Sequence, residues 1–186
     1  MLRKAIQQIR KWIDMGIQPV NISVNQSKIV FYHENYISEL KSLLKEYDVS
    51  ASYITLEVLE STVIEDFKLF NQILLEVKKL GFSVSLDDFG SGYSSLNVLS
   101  KLTIDELKID RIFLHIDSDL ENKKTKWILE GIINIAKKSN IRVVVEGVES
   151  SKDDEFIRCL GANVGQGYYY SRPLSIDAFN DLIHKK

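Results

Sequence analysis

Cysteine, proline and long apolar runs are scarce in this chain, and each shortage excludes something. A single cysteine, Cys159, in 186 residues leaves no internal disulfide, which fits a reducing compartment. No run of about 18 apolar residues occurs, so no segment reads as a membrane span. The opening MLRKAIQQIRKW lacks an apolar h-region and does not read as a secretion signal. Two prolines and nine glycines leave little material for linkers. Charge of one sign is not in excess either. The 24 Lys and Arg against 26 Asp and Glu give a net charge of -2, without the basic footprint that duplex nucleic acid demands.

What is present is an ordinary globular composition, 45% hydrophobic and 27% charged. The length predicts one domain over residues 1–186. Apolar periodicity alternates between helical and strand-like stretches. Leu2, Ala5, Ile6, Ile9, Trp12 and Ile13 share a helical face, with Gly16 as a stop. Strands are predicted at Val20–Val24, Tyr53–Val58, Phe82–Leu86, Ile104–Ile109, Ile141–Val145 and Asn163–Gln166. Helices are predicted over about Asn35–Tyr47, Asp66–Leu80, Asn122–Ser139, Ser151–Leu160 and Ser175–His184, with a Gly-rich loop and short helix ending near Lys101. No hairpin turn joins successive strands, so the strands are expected to be parallel with right-handed helical crossovers. An open doubly wound sheet and a (β/α)8 barrel both fit this pattern.

Polar residues concentrate at the C-terminal ends of these strands, where parallel α/β folds build their sites. Asn25, Glu57, Asp87, Asp88, Lys108, Asp110, Glu146 and Gln166 all fall there. Asp87-Asp88 reads either as a solvated turn or as a carboxylate pair for hard divalent ions. Both carboxylates reach one site only if the chain curls just after the strand, which Gly90 and Gly92 make cheap. Glu57 is flanked by apolar residues and needs a buried partner or a metal. Lys108 and Asp110 share a strand face. They form either an ion pair or a lysine that offsets charge at a metal-bound phosphate. Glu146 ends an apolar strand and reads as a ligand or general base. An Asn25 carbonyl is a legitimate hard-metal ligand. Glu60 reads as a residue preceding a helix and Glu149 as a surface acid. Cys159 is expected to be buried or half-buried, and Tyr168, Tyr169 and Tyr170 to pack in the core rather than stack a base. The three histidines lack zinc-site spacing, and no phosphate-loop or dinucleotide fingerprint occurs.

Six segments in order carry a resemblance: Val24-Asn-Gln-Ser27, Leu56-Glu-Val-Leu-Glu-Ser61, Leu86-Asp-Asp-Phe-Gly-Ser-Gly-Tyr-Ser-Ser-Leu96, Leu107-Lys-Ile-Asp-Arg111, Val145-Glu-Gly-Val-Glu-Ser150 and Gly165-Gln-Gly-Tyr168. The sequence resembles the EAL domain family of bacterial cyclic di-GMP phosphodiesterases. The resemblance implies a (β/α)8 TIM-type barrel with one antiparallel strand. It also implies Mg²⁺ or Mn²⁺ at a two-metal site and hydrolysis of cyclic di-GMP to linear pGpG in the cytoplasm, by a homodimer. Matched residue by residue, Asn25, Glu57, Asp87, Asp88 and Glu146 correspond to metal ligands, Asp87 bridging the two ions. Lys108 corresponds to the lysine contacting the catalytic water. Glu60 corresponds to the acid anchoring the loop Phe89 to Leu96, and Asp110, Glu149 and Gln166 to polar positions lining the site. The Glu-Ala-Leu signature, with its metal-binding Glu, is absent from the 186 residues. The resemblance therefore implies a barrel lacking its first two strands and one ligand, and leaves two expectations open. One is an N-terminally truncated piece of an active enzyme; the other is an inactive module that binds cyclic di-GMP or a protein partner.

Overall fold

The computed structural model describes residues 1–63, 67–91, 99, 101–114 and 119–184. Two compact units divide the chain, Met1–Lys108 and Ile109–Lys186. Among the described residues no helix is long and apolar enough to cross a membrane.

The first unit opens with α1 (Leu2–Asp14). Its Ile6, Ile9 and Trp12 are buried on one face, as the periodicity predicts, with Trp12 only 2% exposed. Strands β1 (Ile22–Gln26), β2 (Ile54–Leu59) and β3 (Ser83–Phe89) pair in parallel, with β4 (Glu106–Ile109) next in order after β3. Asp105 ties β4 to β3: its N–H donates to the Val84 carbonyl (2.9 Å) and its Oδ2 accepts from the Val84 N–H (2.9 Å). Helices α2 (Lys28–Phe31), α3 (Tyr36–Tyr47), α4 (Glu60–Val63) and α5 (Phe67–Lys79) fill the crossovers.

One face of these strands is apolar and the other polar. Ile54, Leu56, Val58, Val84 and Leu86 are fully buried, as are Phe70, Leu74 and Val77 of α5. Phe70 also stacks on Phe31 at 4.9 Å. Every residue of β2 from Ile54 to Val58 is buried, the pattern of a parallel strand covered on both sides. The alternate positions are polar. Register places Asn25 beside Glu57 and Glu57 beside Ser85, so the three form one row on one face.

The second unit contains α6 (Asp119–Lys138), β5 (Arg142–Val145), α7 (Ser151–Leu160), β6 (Val164–Gly165) and α8 (Ile176–His184). Strands β5 and β6 pair in parallel. Asn163 clamps them: its Oδ1 accepts from the Val143 N–H (2.9 Å) and its N–H donates to the Val143 carbonyl (3.2 Å). Leu129, Ile132, Ile133 and Ala136 form the buried stripe of α6, while Trp127 is 66% exposed. Ser150 and Asp153 make a reciprocal capping box at the start of α7.

The parallel α/β class expected from the sequence is the one observed, and most element bounds lie within a few residues of the predicted ones. Two expectations are corrected. Cys159 is exposed, because it lies two residues past the buried Ile157 and so on the outer side of α7. Tyr168, Tyr169 and Tyr170 are 56%, 44% and 44% exposed rather than core. Tyr169 and Tyr170 meet edge to face, and Arg172 lies 4.6 Å over the Tyr168 ring.

Candidate metal centre

In the first unit the polar strand face converges on a lysine. Lys108 Nζ lies 2.8 Å from Asp87 Oδ1 and 3.2 Å from Glu57 Oε1. The three side chains are 6%, 10% and 8% exposed. They come from β4, β3 and β2, so strand register, not sequence proximity, assembles them. Asp110 Oδ1 accepts from the Ile112 N–H (2.8 Å) at the start of the 3-10 helix Arg111–Phe113.

Burial pushes the Glu57 carboxyl above the usual carboxylate range. The Lys108 charge opposes this, the Asp87 charge adds to it, and hydrogen bonds from Lys108 and Ser23 pull back down. Asn25 stands exposed in the row beside Glu57. Glu60, buried at 7% exposure, starts α4. Most of the loop it is expected to anchor lies outside the described residues.

The curl at Asp87-Asp88 differs from the expected one. Strand β3 runs on through both acids to Phe89, and the left-handed turn is made by Asp88 itself, at φ +58°. Aspartate tolerates that region better than most residues. The Asp88 N–H donates to Asp87 Oδ1 (3.1 Å), and the Asp88 carbonyl accepts from Ser91 Oγ (2.8 Å). Gly90, at φ +101°, continues the turn, and Gly92 lies outside the described residues.

Two buried polar residues of these strands were passed over by sequence reasoning, Ser85 on this face and Gln26 on the opposite one, in register with Val58. Ser85 is fully buried beside Glu57, and its Oγ has no hydrogen-bond partner among the described residues. Strict alternation in Ser83-Val-Ser-Leu-Asp87 was the available signal. Gln26 is buried at the end of β1, where it accepts from the Tyr36 hydroxyl (3.1 Å). Burial pushes that phenol well above its ordinary value.

In the second unit Glu146 follows β5, half-buried, and its N–H donates to the Ile109 carbonyl (2.9 Å). Gln166 follows β6 with an exposed side chain; its N–H donates to the Val145 carbonyl (2.9 Å) and its carbonyl accepts from the Val148 N–H (3.0 Å). Glu149 is exposed, and its N–H donates to Asp153 Oδ2 (3.1 Å). Close backbone approach requires two glycines here. A Cβ on Gly147 would lie 2.2 Å from Arg111 Cβ, and one on Gly167 would lie 2.1 Å from the Val148 carbonyl oxygen.

The family model of the EAL domain matches residues 1–173. The chain belongs to the EAL domain family. It is 36% identical over 174 residues to the bifunctional diguanylate cyclase/cyclic di-GMP phosphodiesterase MucR of Pseudomonas aeruginosa, covering 94% of this chain and 25% of that protein. It is 34% identical over 175 residues to the cyclic di-GMP phosphodiesterase PdeR of Escherichia coli, covering 94% of this chain and 26% of that one. The chain thus spans about a quarter of the length of these two curated relatives. The solved PaMucR phosphodiesterase in complex with c-di-GMP superposes with a TM-score of 0.85 at 35% identity, over 96% of this chain and 71% of that one. The EAL domain of Mycobacterium smegmatis DcpA gives a TM-score of 0.88 at 28% identity, over 99% and 82%. The fold is the α/β fold of these EAL structures.

Proposed function

We propose that residues 1–186 act as one EAL-type domain whose parent protein hydrolyses cyclic di-GMP to linear pGpG with Mg²⁺ or Mn²⁺. The observation that carries this reading is the buried meeting of Glu57, Asp87 and Lys108, in a family whose similar members are named cyclic di-GMP phosphodiesterases. The donor chemistry fits a hard divalent ion, because Glu57 and Asp87 offer buried carboxylate oxygens and Asn25 an amide oxygen beside them. Glu57, Asp87, Asp88, Asn25 and Glu146 would hold the ions, which supply Lewis-acid charge at the phosphoryl oxygens when bound. Lys108 presents a positive charge and three N–H donors to the reacting phosphate and water. Glu60 anchors the loop Phe89 to Leu96, and Asp110, Glu149 and Gln166 are polar positions lining the site. Cyclic di-GMP is the ligand, a second copy of the chain the partner, and the cytoplasm the compartment.

The test is chromatography of the product formed from cyclic di-GMP and Mn²⁺. The full-length protein yields pGpG, Glu57→Gln or Asp87→Asn abolishes it, and chelation abolishes it reversibly. No pGpG from the full-length protein overturns the proposal. The alternative is a module that binds cyclic di-GMP or a protein partner without turnover. Calorimetric binding of cyclic di-GMP by the 186-residue chain without product supports that reading, and turnover by this chain refutes it.

A further inference from the structure

We propose that Arg111 binds the phosphodiester of cyclic di-GMP that is not cleaved. The proposal rests on the proposed function and extends it to a residue outside the acid set. Hydrolysis to pGpG opens one of the two phosphodiesters, where the ions would act. The other keeps its negative charge and calls for a cationic donor of its own.

Arg111 lies two residues past β4 and is exposed. Its backbone is fixed, because Asp110 Oδ1 accepts from the Ile112 N–H (2.8 Å) and the Arg111 carbonyl accepts from the Leu114 N–H (2.8 Å). The stem of the side chain lies across Gly147. A Cβ on that glycine would meet Arg111 Cβ at 2.2 Å and its Cγ and Cδ at 3.3 Å. The backbone beneath the stem is held on both sides of Gly147. The Glu146 N–H donates to the Ile109 carbonyl (2.9 Å), and the Val148 N–H donates to the Gln166 carbonyl (3.0 Å). A guanidinium on a held stem loses little further freedom when it takes a ligand.

The guanidinium itself supplies the second observation. Arg3, Arg10 and Arg158 spend theirs on carboxylates, and Arg172 lies over the Tyr168 ring. Among the described residues the Arg111 guanidinium has no ion pair, hydrogen bond or ring partner, although Glu146 and Glu149 lie within two residues of the glycine beneath it. Its planar fork of N–H donors is open to phosphate oxygens, which it matches two at a time.

The experiment uses the full-length protein, with calorimetric binding of cyclic di-GMP in chelator and steady-state hydrolysis with Mn²⁺. Arg111→Ala keeps the Cβ that sits on Gly147. It is expected to raise KM and weaken Kd about 10- to 100-fold, with little change in kcat. Arg111→Lys keeps the charge without the fork and should recover part of the loss. Bis(p-nitrophenyl) phosphate has a single phosphate, so the loss of kcat/KM on it should be at least about tenfold smaller than on cyclic di-GMP. Melting temperatures check that the variants fold, and Arg111→Gln, which keeps the stem, replaces Arg111→Ala if that variant does not. A KM for cyclic di-GMP that Arg111→Ala and Arg111→Gln leave unchanged overturns the inference alone. So does an equal loss on both substrates, which would place the guanidinium at the reacting phosphate. A wild-type protein that neither binds nor hydrolyses cyclic di-GMP overturns the proposed function, and the inference with it.

Discussion

Gly147 offers a test of the second unit in which two physical costs can be separated. Its φ is +72°, and a Cβ there would sit 2.2 Å from Arg111 Cβ, with Arg111 Cγ and Cδ at 3.3 Å. An L-residue in the left-handed region costs about 1–2 kcal/mol. Overpacking against an atom that no rotamer can move costs about 1–3 kcal/mol. Gly147→Ala should therefore lose about 2–5 kcal/mol, read as a fall in urea midpoint at constant slope. Gly16 supplies the control: its φ is +71°, but nothing lies within 4 Å of its Cβ position, so Gly16→Ala carries the backbone cost alone. Arg111→Gly in the Gly147→Ala background removes the collision and keeps the strain, so a double-mutant cycle with Arg111→Gly returns the clash energy. The reasoning is refuted if Gly147→Ala costs no more than Gly16→Ala, or if the cycle shows no coupling.

Three further outcomes are expected. Because burial raises Glu57, the folded metal-free chain holds a proton there that the unfolded chain has released, so stability falls as pH climbs from the ordinary Glu value through the raised one; Glu57→Gln should flatten that slope in urea unfolding at several pH values. Ser150→Ala removes the oxygen that accepts from the Asp153 N–H and should cost about 0.5–2 kcal/mol, read by thermal unfolding, while Ser150→Asn should largely retain the cap. Asp88→Val forces a β-branched residue to φ +58° and should cost about 1–2 kcal/mol or more, whereas Asp88→Gly should be tolerated in the same unfolding assay.

The strands and helices were legible because each buries a periodic face. The run from Ile54 to Val58 announced a strand covered on both sides, and a carboxylate inside it announced a partner. The partner itself was not legible. Glu57, Asp87 and Lys108 are far apart in the chain, and only the register of β2, β3 and β4 brings one ammonium to two acids. Nor was the hydrogen bond that Asp110 accepts from the Ile112 N–H legible. At Asp87-Asp88 the glycines that follow drew the expected curl too far along, since the acid itself adopts the left-handed conformation. The tyrosines misled because aromatic content suggests burial, whereas Tyr170 spends its hydroxyl on the Asp154 carboxylate at 2.5 Å and stays 44% exposed.

The two tryptophans fall one in each unit, Trp12 at 2% exposure and Trp127 at 66%. Their emission should therefore be asymmetric. Trp127 already faces water and changes little in colour on unfolding, so the red shift of the whole chain reports the first unit almost alone. Far-UV circular dichroism sees the helices of both. Overlaid, the two signals would show without any added label whether the halves melt in a single cooperative step or in succession.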